Sequence, residues 1–218
     1  MLARRALWLA AMALLCGAVG CRLVAAIGIL TAPPQIKKAE FKLAPGRLAV
    51  LLETARPSED NPVFAQAFHD KLAEEFRQYK IPAQVVSRDE VLRARQENAD
   101  FDRWSVQKVG RWVFADQVLY VRVESLQLYE APGSPVLAPR VQMRVKVIGV
   151  GEAADTARLW PGPDEPDGRL IERARPQKEA ADTNLIDAET AKLGREAAIL
   201  VVMPFRDVDL EQKPGWEP

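Results

Sequence analysis

One histidine, His69, and two cysteines, Cys16 and Cys21, are all the imidazole and thiol this chain has. A Ser-His or Cys-His pair, or a histidine-based zinc site, would need an unusual arrangement to be built from them. His69 follows Phe68 on the flank of an apolar helical stripe and reads as a packed structural residue. Glu74 and Glu75 are neighbours on the same helix, so their carboxylates are expected to point apart rather than share a proton. Asp164, Glu165 and Asp167 make an acidic loop, but Pro163 and Pro166 interrupt the ligand spacing of a calcium loop, and a solvated turn is expected. Gly149-Val-Gly151-Glu-Ala-Ala154 matches a dinucleotide fingerprint, yet no helix can start there before Pro161, so the phosphate-binding helix terminus is missing. Trp104 and Trp112 read as core or helix-edge residues. No catalytic residue, metal ligand or cofactor-binding residue is assigned.

Two other groups of residues carry chemistry. The first is a row of cations on a strand. From Arg140 to Ile148 the residues alternate strictly, with Val141, Met143, Val145 and Val147 on one face and Arg140, Gln142, Arg144 and Lys146 on the other. The turn Ala131-Pro-Gly-Ser-Pro135 joins this strand antiparallel to the one before it, which brings Arg122 and Glu124 alongside. Such a face is solvated, or covered by the C-terminal segment, or receives a partner. In the last case Arg122, Arg140, Arg144 and Lys146 form the candidate surface, meeting an acidic protein by charge or adding a strand at the free edge.

The second is Cys21. Arg4 and Arg5 precede the apolar run Ala6–Leu15, and Ala18-Val-Gly20 supplies small residues before Cys21. Ala18-Val-Gly-Cys21 resembles a bacterial lipobox, departing at Ala18 where leucine is usual. That resemblance implies cleavage after Gly20, lipidation of Cys21 and attachment outside the cytoplasm. With Arg22 next in place of a retention aspartate, it implies the outer membrane if the cell has one. The competing reading is an uncleaved span from Ala6 to Leu30, which would bury Arg22 at about 2.5–3.5 kcal/mol near the helix centre. No other cysteine is present to form a disulfide. Charge is balanced, 30 basic against 30 acidic residues, and loses Arg4 and Arg5 on cleavage. Nothing in that balance points to nucleic acid.

The elements that position these groups can be read in order. Residues 21–46, with Pro33, Pro34 and Pro45, form a tether averaging about 30 Å as a flexible coil. Arg47–Glu53 is a short apolar run of strand length. Asn61-Pro62 opens a helix with Phe64, Phe68, Leu72, Phe76 and Tyr79 in one stripe, stopped by Pro82. Ala83–Val86 is a second strand, parallel to the first across the helix. Ser87-Arg-Asp-Glu90 has the pattern of a capping box. A helix with Val106, Val109, Gly110 and Val113 on one face then feeds the strand Val118–Val123, and Gly110 lets that helix approach the sheet closely. Residues 151–184 read as an irregular excursion in which only Arg158–Trp160 and Leu170–Glu172 have strand character. Asp187 is the expected cap of a last helix, weakened by Gly194 and ended by Pro204, with Ile199–Met203 alone equally readable as a strand, and residues 206–218 read as a tail. The expected fold is therefore a single α/β domain, 47–205, with a mixed sheet, a parallel β-α-β start and an antiparallel hairpin.

The order Leu48-Ala-Val-Leu-Leu, Phe64–Tyr79, Val85-Val-Ser-Arg88, Val109-Gly-Arg111 and Ala115-Asp-Gln-Val-Leu-Tyr-Val121 resembles the extracytoplasmic α/β domain of the TolB amino-terminal, CsgG and LpoB group. It also resembles planctomycete-type lipoproteins. The resemblance covers Leu48–Val150 and implies an envelope protein that binds rather than catalyses. Its alternatives are a subunit of an oligomeric secretion complex and a carboxylate-dependent hydrolase. CsgG barrel hairpins have no counterpart in the Pro-rich segment after Gly151, and the long linker of LpoB has none in the short tether.

Overall fold

Leu48, Ala49, Val50 and Leu51 are each 5% exposed or less, so both faces of their strand are covered. In the computed structural model, residues 36–153, 156–179 and 182–209 are described. The chain divides into two units. Met1–Lys37 with Asp209–Glu217 is one, and of it only Ile36, Lys37 and Asp209 are described; Lys38–Val208 holds everything that follows. Cys16, Cys21 and the expected leader and tether up to residue 35 lie outside the described residues, as does most of the expected tail.

Strand β1 (Gly46–Thr54) lies second from one edge of the sheet. Leu48 and Val50 enter a large core with helices α1 (Pro62–Gln78) and α4 (Thr183–Val202), while Ala49 and Leu51 enter a second core with α2 (Arg88–Glu97) and α3 (Val106–Trp112). One strand thus divides two helical layers. β2 (Ala83–Val85) and β3 (Gln117–Tyr129) flank β1, both parallel to it. β4 (Val136–Gly149) pairs antiparallel with β3, and its outer edge carries β5 (Arg158–Trp160), β6 (Arg169–Ala174) and β7 (Lys178–Glu179). The sheet is a mixed one of seven strands, with the parallel β-α-β start and the antiparallel hairpin expected from the sequence.

Local chemistry accounts for most boundaries. Asn61 caps α1 by accepting from the Phe64 N–H at 3.0 Å, with Pro62 in the first turn where a missing donor costs nothing. Phe64, Phe68, Leu72 and Phe76 are buried as one stripe. Tyr79 is not part of it. It falls just past the helix end, 40% exposed, with the Arg206 guanidinium 3.6 Å from its ring centre. Ser87 caps α2, but Glu90 does not complete the reciprocal box; it binds Arg47 at 2.7 Å. Gly110 packs as expected, since a Cβ there would stand 2.5 Å from Val150 and 2.8 Å from Val118.

The C-terminal third departs from expectation. The stretch after Gly151 contributes three sheet strands, because the two weak strand signals lie where β4 offers an unpaired edge. Asp182, not Asp187, caps α4, accepting from the Leu185 N–H at 2.8 Å, and the helix runs from Thr183 to Val202. Gly194 does not weaken it. A Cβ at Gly194 would sit 2.7 Å from the Phe64 carbonyl oxygen, so this residue is where α4 crosses α1.

Candidate functional site

Helices α2 and α3 are too short to cover their side of the sheet. They pack on Ala49, Leu51 and Val118, with Tyr120 and Ile148 at the margin, and among the described residues no other helix covers the rest of that face. The open part is built by register. Tyr120 stands opposite Lys146 and Arg122 opposite Arg144 across β3 and β4, while Leu170 and Glu172 of β6 flank Arg144 and Gln142. The opposite face carries Val121, Val123, Met143 and Val145 into the large core, which fixes the polar set outward.

Arg122, Arg144 and Lys146 are therefore brought together. Arg140 is on the same face but four residues along β4, roughly 13 Å from Arg144, where it donates to Gln127 at 2.6 Å. Two arginines directly opposite one another repel. Glu124 stands between them, 3.7 Å from Arg122 and 3.8 Å from Arg144, and these are half-exposed contacts of little strength. Lys146 has no charged partner among the described residues. Tyr120 donates to Glu53 at 2.9 Å, and burial, then the Glu53 charge, push its hydroxyl up to about 12. The phenol therefore stays protonated at the rim of a cationic surface, and Leu170, 41% exposed, adds an apolar contact beside Arg144.

The free edge expected on the strand Arg140–Ile148 does not exist. β6 pairs with it from Arg140 to Val145, β5 at Val147 and Ile148, and β7 beyond, so strand addition there is blocked. The sequence reading missed this because residues 158–179 show too little apolar alternation to declare themselves strands.

The other chemistry-bearing residues have settled roles. Glu74 and Glu75 do not point apart; both reach Lys71 at 3.0 Å, spaced three and four residues from it. Glu165 binds Arg169 at 2.7 Å. Trp104 stacks near Phe101 with the Lys108 ammonium 4.2 Å from its ring centre. His69 is buried, and burial lowers its pKa against a smaller opposing effect of the Val86 carbonyl. Its Nε2 has no hydrogen-bond partner among the described residues, and the side chain lines a cleft of about 110 Å³ beside β1 that no sequence signal had marked. Among the described residues no set of His, Cys, Asp and Glu is grouped to hold a metal, and no helix is long and apolar enough to cross a membrane.

No family model matches this chain, and no match was found among curated proteins. Among solved structures, it is similar to the PelC dodecamer from Paraburkholderia phytofirmans, with 12% identity and a TM-score of 0.37 over 80% of this chain and 96% of that one. It is similar to lipoprotein GNA1162 from Neisseria meningitidis, with 12% identity and a TM-score of 0.41 over 71% of this chain and 99% of that one. The LpoB C-terminal domain from Salmonella enterica gives 19% identity and a TM-score of 0.33 over 63% and 87%. LpoB, one of the groups that the sequence resembles, is thus also a structural neighbour. The TolB and CsgG resemblances remain readings of the sequence. At these TM-scores the likenesses carry no functional argument, which rests on the residues of this chain.

Proposed function

We propose that this protein is a lipid-anchored envelope protein that acts as a non-enzymatic binding module, and that it receives an acidic protein partner on the open face of β3 and β4. The anchor reading is supported by Ala18-Val-Gly-Cys21 after a short apolar run. The binding reading is carried by one observation: Arg122 and Arg144 are held opposite each other on a face that no helix among the described residues covers, beside Lys146, which has no charged partner among them. Folding does not require like charges in register, and the arrangement costs stability. A carboxylate-rich partner would neutralise them, gaining both rate and specificity.

The test is Arg144→Glu with Lys146→Glu. The first change pairs opposite charges at 122 and 144 while losing the weak contact to Glu124, and the second reverses a half-buried cation that has no charged partner among the described residues. Thermal stability should therefore move little, within about 0.5 kcal/mol as for other surface changes. Partners recovered with the wild-type protein from detergent-solubilised membranes should be lost. If the double variant retains them, the sheet face is not the binding surface.

A further inference from the structure

β1 outruns one of its neighbours. β2 accompanies it only from Gly46 to Leu48, whereas β3 follows it to Thr54 on the other side. In a parallel ladder, successive residues turn their backbone groups to alternate sides. The Ala55 N–H donates to Val123 and the Val86 N–H donates to the Leu48 carbonyl, so odd-numbered residues address β3. Val50, Leu52 and Thr54 therefore direct N–H and C=O groups to the side where β2 has ended. Among the described residues this edge is unpaired, and such an edge is a template for another extended chain.

The cleft lies along this edge. Val50, Leu52 and Thr54 line its floor, α1 supplies one wall with Ala65 and His69, and α2 the other with Arg88, Val91 and Arg95. Its volume of about 110 Å³ is on the scale of one aliphatic side chain. The two walls differ in chemistry. On the α1 side Phe64, Ala65 and Phe68 present apolar surface beside His69, which is only 8% exposed. From the α2 side Arg88 reaches across to Gln66 of α1 at 2.8 Å, an uncharged contact that an entering carboxylate would replace, and Arg95 lies 5.0 Å from the centre of the Phe101 ring, with Asp102 at 4.0 Å. Their charges are left largely uncompensated. Of the two acids at the cleft, Glu59 is engaged by the Leu126 N–H and Arg56, which leaves Asp60.

We infer that this groove takes a short extended peptide segment of a partner protein as an added strand on β1, with an apolar side chain toward α1 and an acidic one toward α2. Alternation of side chains along any strand matches the two unlike walls. Main-chain hydrogen bonds to Val50, Leu52 and Thr54 supply affinity, and the walls supply selectivity. The inference does not depend on the sheet-face reading.

A displayed library of random heptapeptides selected on the full-length protein tests it. Enriched peptides should alternate apolar and acidic residues, and methylating their alternate backbone nitrogens should weaken binding at least tenfold. Arg88→Glu with Arg95→Glu should weaken it comparably while the thermal midpoint stays near wild type; Arg144→Glu with Lys146→Glu should bind as wild type. Residue-resolved amide exchange gives a second readout. Val50, Leu52 and Thr54 should exchange faster than Leu51 and Glu53 in the free protein and become protected on adding a selected peptide. The inference is overturned if no peptide is enriched, if binding survives N-methylation, if the two α2 arginines are dispensable, or if those amides are already protected by self-association.

Discussion

Glu189 illustrates how much one side chain can carry here. It is 1% exposed, and burial alone would raise its carboxyl; hydrogen bonds from Lys178, Arg175 and Lys192 outweigh that and hold it at about 2, from an ordinary 4.5. Arg175 also reaches Glu196, which binds Arg173 at 2.7 Å, so α4 is fastened to β6 and the segment after it by one ion network. A folded-state pKa below the unfolded one contributes stability that is complete above about 4.5 and is lost as pH falls toward 2. The size is on the order of 3 kcal/mol. Glu189→Gln should thus destabilise the protein at pH 7 by about that amount, since it strands three cations, and the gap to wild type should close as pH is lowered. Urea unfolding at pH 7, 4.5 and 3 measures it. Parallel losses in both proteins would assign acid sensitivity to other carboxylates. None of this was legible in the sequence, because the partners that reach α4 from outside it are 11 to 23 residues away and charge alone does not say which pairs form.

Elements show a sharper division between what sequence carries and what it does not. Several local signals held: the Asn61-Pro62 start, the Phe64–Phe76 stripe, the Ala131–Pro135 hairpin and the close approach at Gly110 all follow from neighbours in the chain, whereas the Glu90 half of a capping box and the Asp187 cap did not form. Where the signal is a remote partner, it failed. β5, β6 and β7 exist because β4 offers them an edge, and the cleft at β1 exists because β2 stops at Val85. Gly194 is the instructive residue. By helix propensity, alanine there should stabilise α4 by about 1 kcal/mol. Its Cβ, however, would meet the Phe64 carbonyl at 2.7 Å and the Phe68 nitrogen at 3.2 Å, and backbone in a helix packed against this face cannot move aside cheaply. The clash wins, and Gly194→Ala should lose roughly 1–3 kcal/mol. Chemical denaturation decides the sign: a gain would mean that α1 and α4 have room between them, and that the glycine is an accident of sequence.

At the scale of the whole molecule, the two candidate surfaces work where the domain is held, and the proposed holding point is Cys21. It is the only group in the sequence with the context for a lipid anchor, and it lies outside the described residues. One acyl chain gives marginal, reversible attachment, whereas two or more give a durable one, so under the proposed lipid anchor the number of chains on Cys21 would set how firmly the protein is held. If the Ala18-Val-Gly-Cys21 reading holds, the mature protein begins at Cys21, its N-terminal peptide carries the mass of attached acyl chains, and labelled palmitate enters the wild type but not Cys21→Ser. The spanning-helix alternative makes the opposite prediction on each count. Met1–Gly20 would remain, no label would be incorporated, and Cys21→Ser would leave membrane attachment unchanged, because Ala6–Leu30 would hold the chain by its length and at the cost of burying Arg22. Mass spectrometry of the N-terminal peptide from purified membranes separates the two without depending on any binding partner.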